Sequence, residues 1–229
     1  MISPESQGKF LAGSVDLRLS SVKQDRLEFT GNDVKHPFSG KSDVYRLSGL
    51  LDLGIVNRLD FLYLGHMSGT TVGIYGLKVQ VLGKNRQEAK QGNFSVSLAG
   101  GTGRTGSSFD TSDNDLNNWT TNVDKLSWRV QHHEAGLVAG YRWANKLLHY
   151  VNAFYFHENL RGKVTTDGNT LQDAKFRDTQ DGMIYSTGLL YDLGANWYLK
   201  ADFSHMTAKW SSFHGTTSNT FNGGIGAQW

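Results

Sequence analysis

Apolar and polar residues alternate along much of this chain, and this period of two is the feature that most constrains its fold. In the first run Leu11, Gly13, Val15, Leu17 and Leu19 form one set, and Ala12, Ser14, Asp16, Arg18 and Ser20 form the other. Because successive side chains of a strand point to opposite faces, this run predicts a strand with one apolar and one polar face.

The same pattern recurs along the chain and predicts about ten antiparallel strands. The predicted strands cover residues 11–20, 45–53, 58–68, 71–83, 94–99, 125–143, 147–160, 185–193, 197–204 and 221–229. In the sixth strand the apolar residues shift from even-numbered to odd-numbered positions. This shift predicts a β-bulge near His132 to Glu134. The seventh strand is aromatic on both faces, which favours ring packing inside a crowded sheet, with contact to a lipid or to another protomer as the alternative.

Composition narrows the classes of protein. A length of 229 residues suits one domain, residues 1–229, and the sequence holds nothing close to the roughly 18 consecutive apolar residues of a spanning helix. Zero cysteines exclude thiolate metal sites and thiol chemistry. A net charge of +2, with basic residues scattered among acidic ones, argues against a nucleic-acid partner. We predict no cofactor and no bound metal.

The lengths of the connections favour a barrel in lipid over a soluble sandwich. They alternate between short ones near residues 54, 86, 145 and 195 and long ones at about 21–42, 103–124, 162–181 and 209–218, and only the link between the third and fourth strands breaks the pattern. Membrane barrels keep short turns at one end and long loops at the other. The sequence therefore predicts an all-β, transmembrane, antiparallel up-and-down β-barrel of about ten strands. Met1 to Gly8 is polar and lacks the apolar core of a signal peptide, so we expect that a signal was removed.

Aromatic residues fall in two bands, as expected at the two interfaces of a membrane. Those at the short-turn end are Tyr141, Trp143, Tyr191, Trp197 and Trp229, and those at the long-loop end are Tyr45, Trp128, Tyr185 and Phe221.

The last strand resembles the terminal strand of bacterial outer-membrane β-barrel proteins. Phe221, Ile225 and Trp229 lie on one face of it, and an aromatic residue ends the chain. The usual last residue in that class is Phe, so Trp229 is a departure. The resemblance implies an integral protein of a Gram-negative outer membrane whose partners are membrane lipid and the outer-membrane assembly machinery, which would recognise this strand.

Charged residues of both signs fall on the polar faces of the strands. They include Asp16, Arg18, Arg46, Asp52, Arg129, Lys200 and Asp202. A barrel of about ten strands has a narrow interior, so we expect these residues to fill the lumen as ion pairs, with a porin-like constriction as the alternative.

Three functions stay open from the sequence. We expect a non-enzymatic barrel, porin-like or structural in the envelope, with possible lipid binding. His66 and Ser68 share one face of a strand, and this spacing is similar to the motif of outer-membrane lipid hydrolases, although the usual Asn-Gly after the serine is missing. Adhesion through the long loops is a further alternative.

Small residues on the outward faces of the first and last strands suggest self-association. Gly13, Gly223 and Ala227 would lie on neighbouring strands and let a second protomer approach closely. We therefore predict a homo-oligomer that forms a closed ring.

Overall fold

The computed structural model describes residues 2–24, 27–31, 34–38, 44–66, 71–110, 123–166, 174–211 and 216–229. The regular elements in these ranges are all β-strands. No helix among the described residues is long and apolar enough to cross a membrane.

The described residues form twelve strands, and ten of these make up one barrel. They are β1 (Gly13–Gln24), β2 (Leu27–Gly31), β3 (Val34–Phe38), β4 (Val44–Val56), β5 (Leu59–His66), β6 (Thr71–Leu82), β7 (Phe94–Asp110), β8 (Val123–Ala144), β9 (Leu147–Thr166), β10 (Ala174–Gly194), β11 (Trp197–Trp210) and β12 (Thr216–Gln228). Strands β2 and β3 pair only with each other, as a hairpin in the connection between β1 and β4.

The barrel closes between its first and last strands. Each of the ten barrel strands pairs antiparallel with the next barrel strand, so that β1 pairs with β4, and β1 also pairs with β12 from Ser14 opposite Gln228 to Gln24 opposite Ser218. Closure pairs the backbone of both terminal strands, as a sheet in lipid requires. The predicted antiparallel up-and-down barrel of ten strands is therefore confirmed.

The alternation of the sequence becomes the two faces of the barrel. On β1 the even-numbered residues from Ala12 to Ser20 are buried, whereas Val15, Leu17 and Leu19 are exposed on the outside. The other strands repeat this division, so the outer surface carries a band of exposed apolar side chains and the interior is polar. An outward apolar band of this kind is typical of barrels that face lipid.

The connections at the short-turn end differ in one place from the prediction. Three are tight turns, at residues 57–58, 145–146 and 195–196. The fourth, predicted as short near residue 86, covers residues 83–93 and contributes to the interior, because its Asn85 side chain is buried. The spacing of turn residues could not show that these side chains fold back under the barrel.

At the opposite end the strands are longer than predicted. β8, β9 and β10 have 22, 20 and 21 residues, whereas about 9–11 tilted residues cross a bilayer. Much of the polar sequence predicted as long loops at 103–124 and 162–181 is therefore strand that projects beyond the membrane.

The predicted β-bulge near His132 to Glu134 is wrong. β8 pairs without interruption with both neighbours across these residues. The parity of the apolar residues changes because the outer part of β8 projects beyond the lipid. There Val130 is buried inside while Arg129 is exposed outside.

Candidate functional site

The short-turn end of the lumen is filled by the N-terminal segment of the chain. Residues Ser3 to Gln7, which we call the plug, are all buried, and Glu5 and Ser6 have no exposed surface. Ile2, which precedes the plug, packs against an apolar cluster formed by Leu62, Ala99, Val138 and Phe154. This placement could not be predicted from the sequence, because a short polar segment has no periodicity that reveals its contacts.

Glu5 anchors the plug through a buried arginine. Both oxygens of its carboxylate accept hydrogen bonds from Nε and Nη2 of Arg142, each at 2.8 Å. Nη1 of Arg142 also pairs with Asp192 at 3.0 Å, and Asp192 pairs with Arg86 at 3.4 Å. A bidentate ion pair of this kind fixes the relative orientation of the two side chains as well as neutralising their charges.

Lys78 holds the next part of the plug. Its ammonium has no exposed surface and lies 2.5 Å from Asp52 and 3.0 Å from Asp60. It also donates to the backbone carbonyl of Glu5 at 3.0 Å. Asp60 in turn accepts the backbone N–H of Gln7 at 3.0 and 3.1 Å. The plug backbone thus receives polar partners from the barrel wall, which its burial requires.

A second layer of ion pairs crosses the lumen beside the plug. Asp16 pairs with Arg18 at 2.5 Å and with Lys200 at 3.1 Å, and it accepts the hydroxyl of Tyr198. All four side chains are buried. Asp16 thus pairs with both cations of this layer, as expected where ion pairs fill a narrow lumen.

Aromatic rings also fill part of the lumen. Tyr150 and Phe156 point inward and are almost completely buried. Glycines face some of these rings, since a Cβ added at Gly182 would lie 2.5 Å from Phe156 and one added at Gly226 would lie 2.3 Å from Tyr198. Part of the high glycine content therefore makes room for rings in the lumen.

The long-loop half of the lumen holds a separate cluster around His132. The ring nitrogens of His132 lie 2.9 Å from Glu158 and 3.1 Å from Glu134. The amide of Gln180, oriented to satisfy both neighbours, donates to Glu158 at 2.8 Å and accepts from the indole of Trp210 at 3.3 Å. The side chains of His132, Glu134 and Glu158 keep 13%, 18% and 23% of their surface exposed, so this cluster is wetter than the plug.

The predicted lumen residues divide into three groups. Asp16, Arg18, Asp52, Lys200 and Asp202 lie inside and are buried. The side chain of Arg46 lies outside the described part of the chain. The placement of Arg129 in the lumen was wrong, because Arg129 is exposed on the outward face, opposite the buried Val130.

The residues predicted to form the inner aromatic girdle lie on the outer face at the short-turn end. Tyr141, Trp143, Tyr191 and Trp197 are exposed and adjoin the turns at 145–146 and 195–196. Trp229 is 57% exposed and donates from Nε1 to the carbonyl of Leu11 at 3.0 Å. Of the predicted outer band, Tyr185 and Phe221 are exposed, and the side chains of Tyr45 and Trp128 lie outside the described residues.

The terminal strand presents Phe221, Ile225 and Trp229 on its outer face, all exposed. Strands β1 and β12 are neighbours, as the self-association hypothesis requires. However, a Cβ at Gly13 would meet the Trp229 ring at 2.6 Å, so that ring occupies the space over Gly13. Only Gly223 and Ala227 remain from the predicted contact, and self-association stays a prediction.

The proposed hydrolase pair cannot be placed. Residue Ser68 and the side chain of His66 lie outside the described part of the chain.

Comparison with known proteins supports the fold alone. No protein-family model matches the chain, and no curated protein matches it. Among solved structures, the outer membrane protease OmpT from Escherichia coli is similar with a TM-score of 0.57 at 10% identity, over 95% of this chain and 97% of OmpT. Ail, the attachment invasion locus protein of Yersinia pestis, was solved with the heparin analogue sucrose octasulfate and has a TM-score of 0.43 at 11% identity, over 96% and 99% of the chains. Neisserial surface protein A has a TM-score of 0.40 at 11% identity, over 95% and 97%.

The chain thus has the architecture of an integral barrel of the bacterial outer membrane. The similar structures include a protease, OmpT, so the fold itself is compatible with an enzyme as well as with a non-enzymatic barrel.

Proposed function

We propose that this protein is a non-enzymatic outer-membrane barrel with a sealed lumen, which acts through its lipid-facing and outer surfaces rather than as an open pore. The observation that carries this proposal is the burial of Ser3 to Gln7 inside the short-turn end of the barrel. A segment held there by buried charge pairs obstructs the path that a solute would take.

The chemistry of the lumen also favours a structural role. Both ring nitrogens of His132 face carboxylates, so the imidazole is held as an ion-pair partner and is not available as a general base. Asp16 and Lys78 are likewise held by opposite charges at 2.5 to 3.1 Å. Groups held in this way stabilise the interior.

Single-channel recording in planar bilayers tests the seal. We expect the native barrel to give no conductance steps. A difference in gel migration between unheated and heated samples would show that the protein used is folded. A channel-forming porin inserted in the same bilayers serves as the positive control. Reproducible steps from the folded native protein would contradict the proposal and favour the porin-like alternative.

Adhesion is a second candidate, favoured by the height of the barrel wall. β8, β9 and β10 have about twice the length needed to cross the membrane and form a folded surface outside it. Shortening β9 after residue 159 and β10 before residue 179 by equal numbers of residues would remove their part of this surface while keeping their pairing. If adhesion is the function, cells that display the shortened barrel will lose surface binding, and unchanged binding would exclude it.

A further inference from the structure

The outward face of the projecting wall carries a row of three arginines. Arg129 on β8 is directly opposite Arg161 on β9, and Arg161 is directly opposite Arg177 on β10. All three side chains are exposed. We call Arg129, Arg161 and Arg177 the arginine row.

Like charges directly opposite one another destabilise a sheet unless something neutralises them. Among the residues that the structure describes, none of the three guanidinium groups has an ion-pair partner. Asp181 is the one carboxylate on the outward face of the described parts of β8 to β10, and it already accepts hydrogen bonds from Tyr155 and His157. The row therefore presents an uncompensated concentration of positive charge.

The height of the arginine row above the lipid indicates which kind of anionic ligand could reach it. Tyr155 pairs with Ala135 and Met183 at the upper edge of the apolar band, six residues below Arg161 on the same face of β9. At about 3.3 Å per residue and a strand tilt of about 40°, the row lies roughly 15 Å above that edge. This height corresponds to the headgroup of a large glycolipid rather than to that of a simple phospholipid.

The residues between the lipid edge and the row are polar. One register step below the row, Asn159 is opposite Gln131 and Thr179. Amides and hydroxyls suit the hydroxyl groups of sugars, whereas guanidinium groups suit phosphates, which they can bind with two parallel hydrogen bonds.

We propose that the arginine row binds the phosphorylated sugar headgroup of an outer-leaflet glycolipid. The polar row contacts sugar hydroxyls, and Tyr155 and the apolar band below contact its acyl chains. This binding does not depend on whether the lumen is sealed. Continuity with the lipid-facing band favours a lipid-linked ligand over a soluble polyanion.

Native mass spectrometry of the full chain in mild detergent provides the test. The native barrel would be titrated with lipopolysaccharide, with the same lipopolysaccharide after removal of its phosphates, and with the free phosphorylated core oligosaccharide. The test variant replaces Arg129, Arg161 and Arg177 with Gln. The matched control replaces Lys84, Lys90 and Lys146, three exposed lysines at the short-turn end, with Gln.

We expect the arginine variant to bind phosphorylated lipopolysaccharide about tenfold more weakly than the native and control proteins. Dephosphorylated lipopolysaccharide should bind all three proteins equally weakly, and the free oligosaccharide should bind the native barrel more weakly than the intact lipid. Equal binding by the native protein and the arginine variant would overturn the proposal. So would binding by the native protein that is insensitive to phosphate. Equal affinity of the native barrel for the free oligosaccharide and for intact lipopolysaccharide would contradict the proposal that the ligand is lipid-linked.

Discussion

The two ends of this barrel use charge in different ways. At the short-turn end the charged side chains are buried, and Glu5, Arg142, Lys78 and Asp60 pair within the lumen around the plug. At the long-loop end the His132 cluster is partly exposed, and the arginine row outside it faces solvent. Charges at the short-turn end therefore hold the plug in place, whereas the arginines at the long-loop end are exposed on the outer face.

The largest effect should follow from breaking the anchor of the plug. Arg142→Met leaves the carboxylate of Glu5 buried without its partner, which should lower the free energy of unfolding by about 4 kcal/mol. The double variant Glu5→Gln with Arg142→Met removes both charges and should recover at least half of the loss. Urea unfolding in detergent micelles, followed by tryptophan fluorescence, measures both values. A single variant as stable as the native protein would show that Glu5 is not buried.

Lys78→Met should have the next largest effect, a loss of about 3 kcal/mol in the same assay. The two carboxylates that Lys78 bridges, Asp52 and Asp60, then face each other without a cation, although adjacent carboxyl groups can share a proton and so limit the loss. Adding Asp52→Asn should restore stability in part. If it lowers stability further, the three groups do not form the bridged cluster.

At the outer end the corresponding change should matter less. His132→Gln should lower the free energy of unfolding by only about 1 kcal/mol, because Glu134 and Glu158 keep contact with water and Glu158 also accepts from Gln180. A loss as large as that of Arg142→Met would contradict the difference between the two ends.

The smallest expected effect is an increase in stability on replacing one arginine of the arginine row. In detergent free of anionic lipid, Arg161→Gln removes repulsion from both neighbouring arginines and should raise the free energy of unfolding by at most about 0.5 kcal/mol. Arg104→Gln is the control, since Arg104 is directly opposite Gln131 on β8 and not opposite another arginine there. Destabilisation by Arg161→Gln alone would show that the row is neutralised within the protein.

The sequence predicted the barrel well because alternation, turn spacing and girdle aromatics are local signals. These signals placed Asp16 and Lys200 inside and Trp143 at the interface. The sequence could not reveal contacts between distant segments, such as those of Glu5 with Arg142. Arg129 was misassigned because strands that leave the membrane no longer need apolar residues outside, so the alternation no longer distinguishes the faces there.

Thiol labelling of the plug tests the central claim, the sealed lumen, most directly. The chain has no cysteine, so Ser6→Cys and Lys9→Cys each introduce one thiol, the first at a fully buried position and the second at an exposed one three residues away. Both would be treated with a water-soluble maleimide in proteoliposomes open to the reagent on both sides. We predict that Cys at position 9 reacts promptly and that Cys at position 6 reacts only after the barrel is unfolded. Equal rates of labelling in the folded protein would contradict the plug.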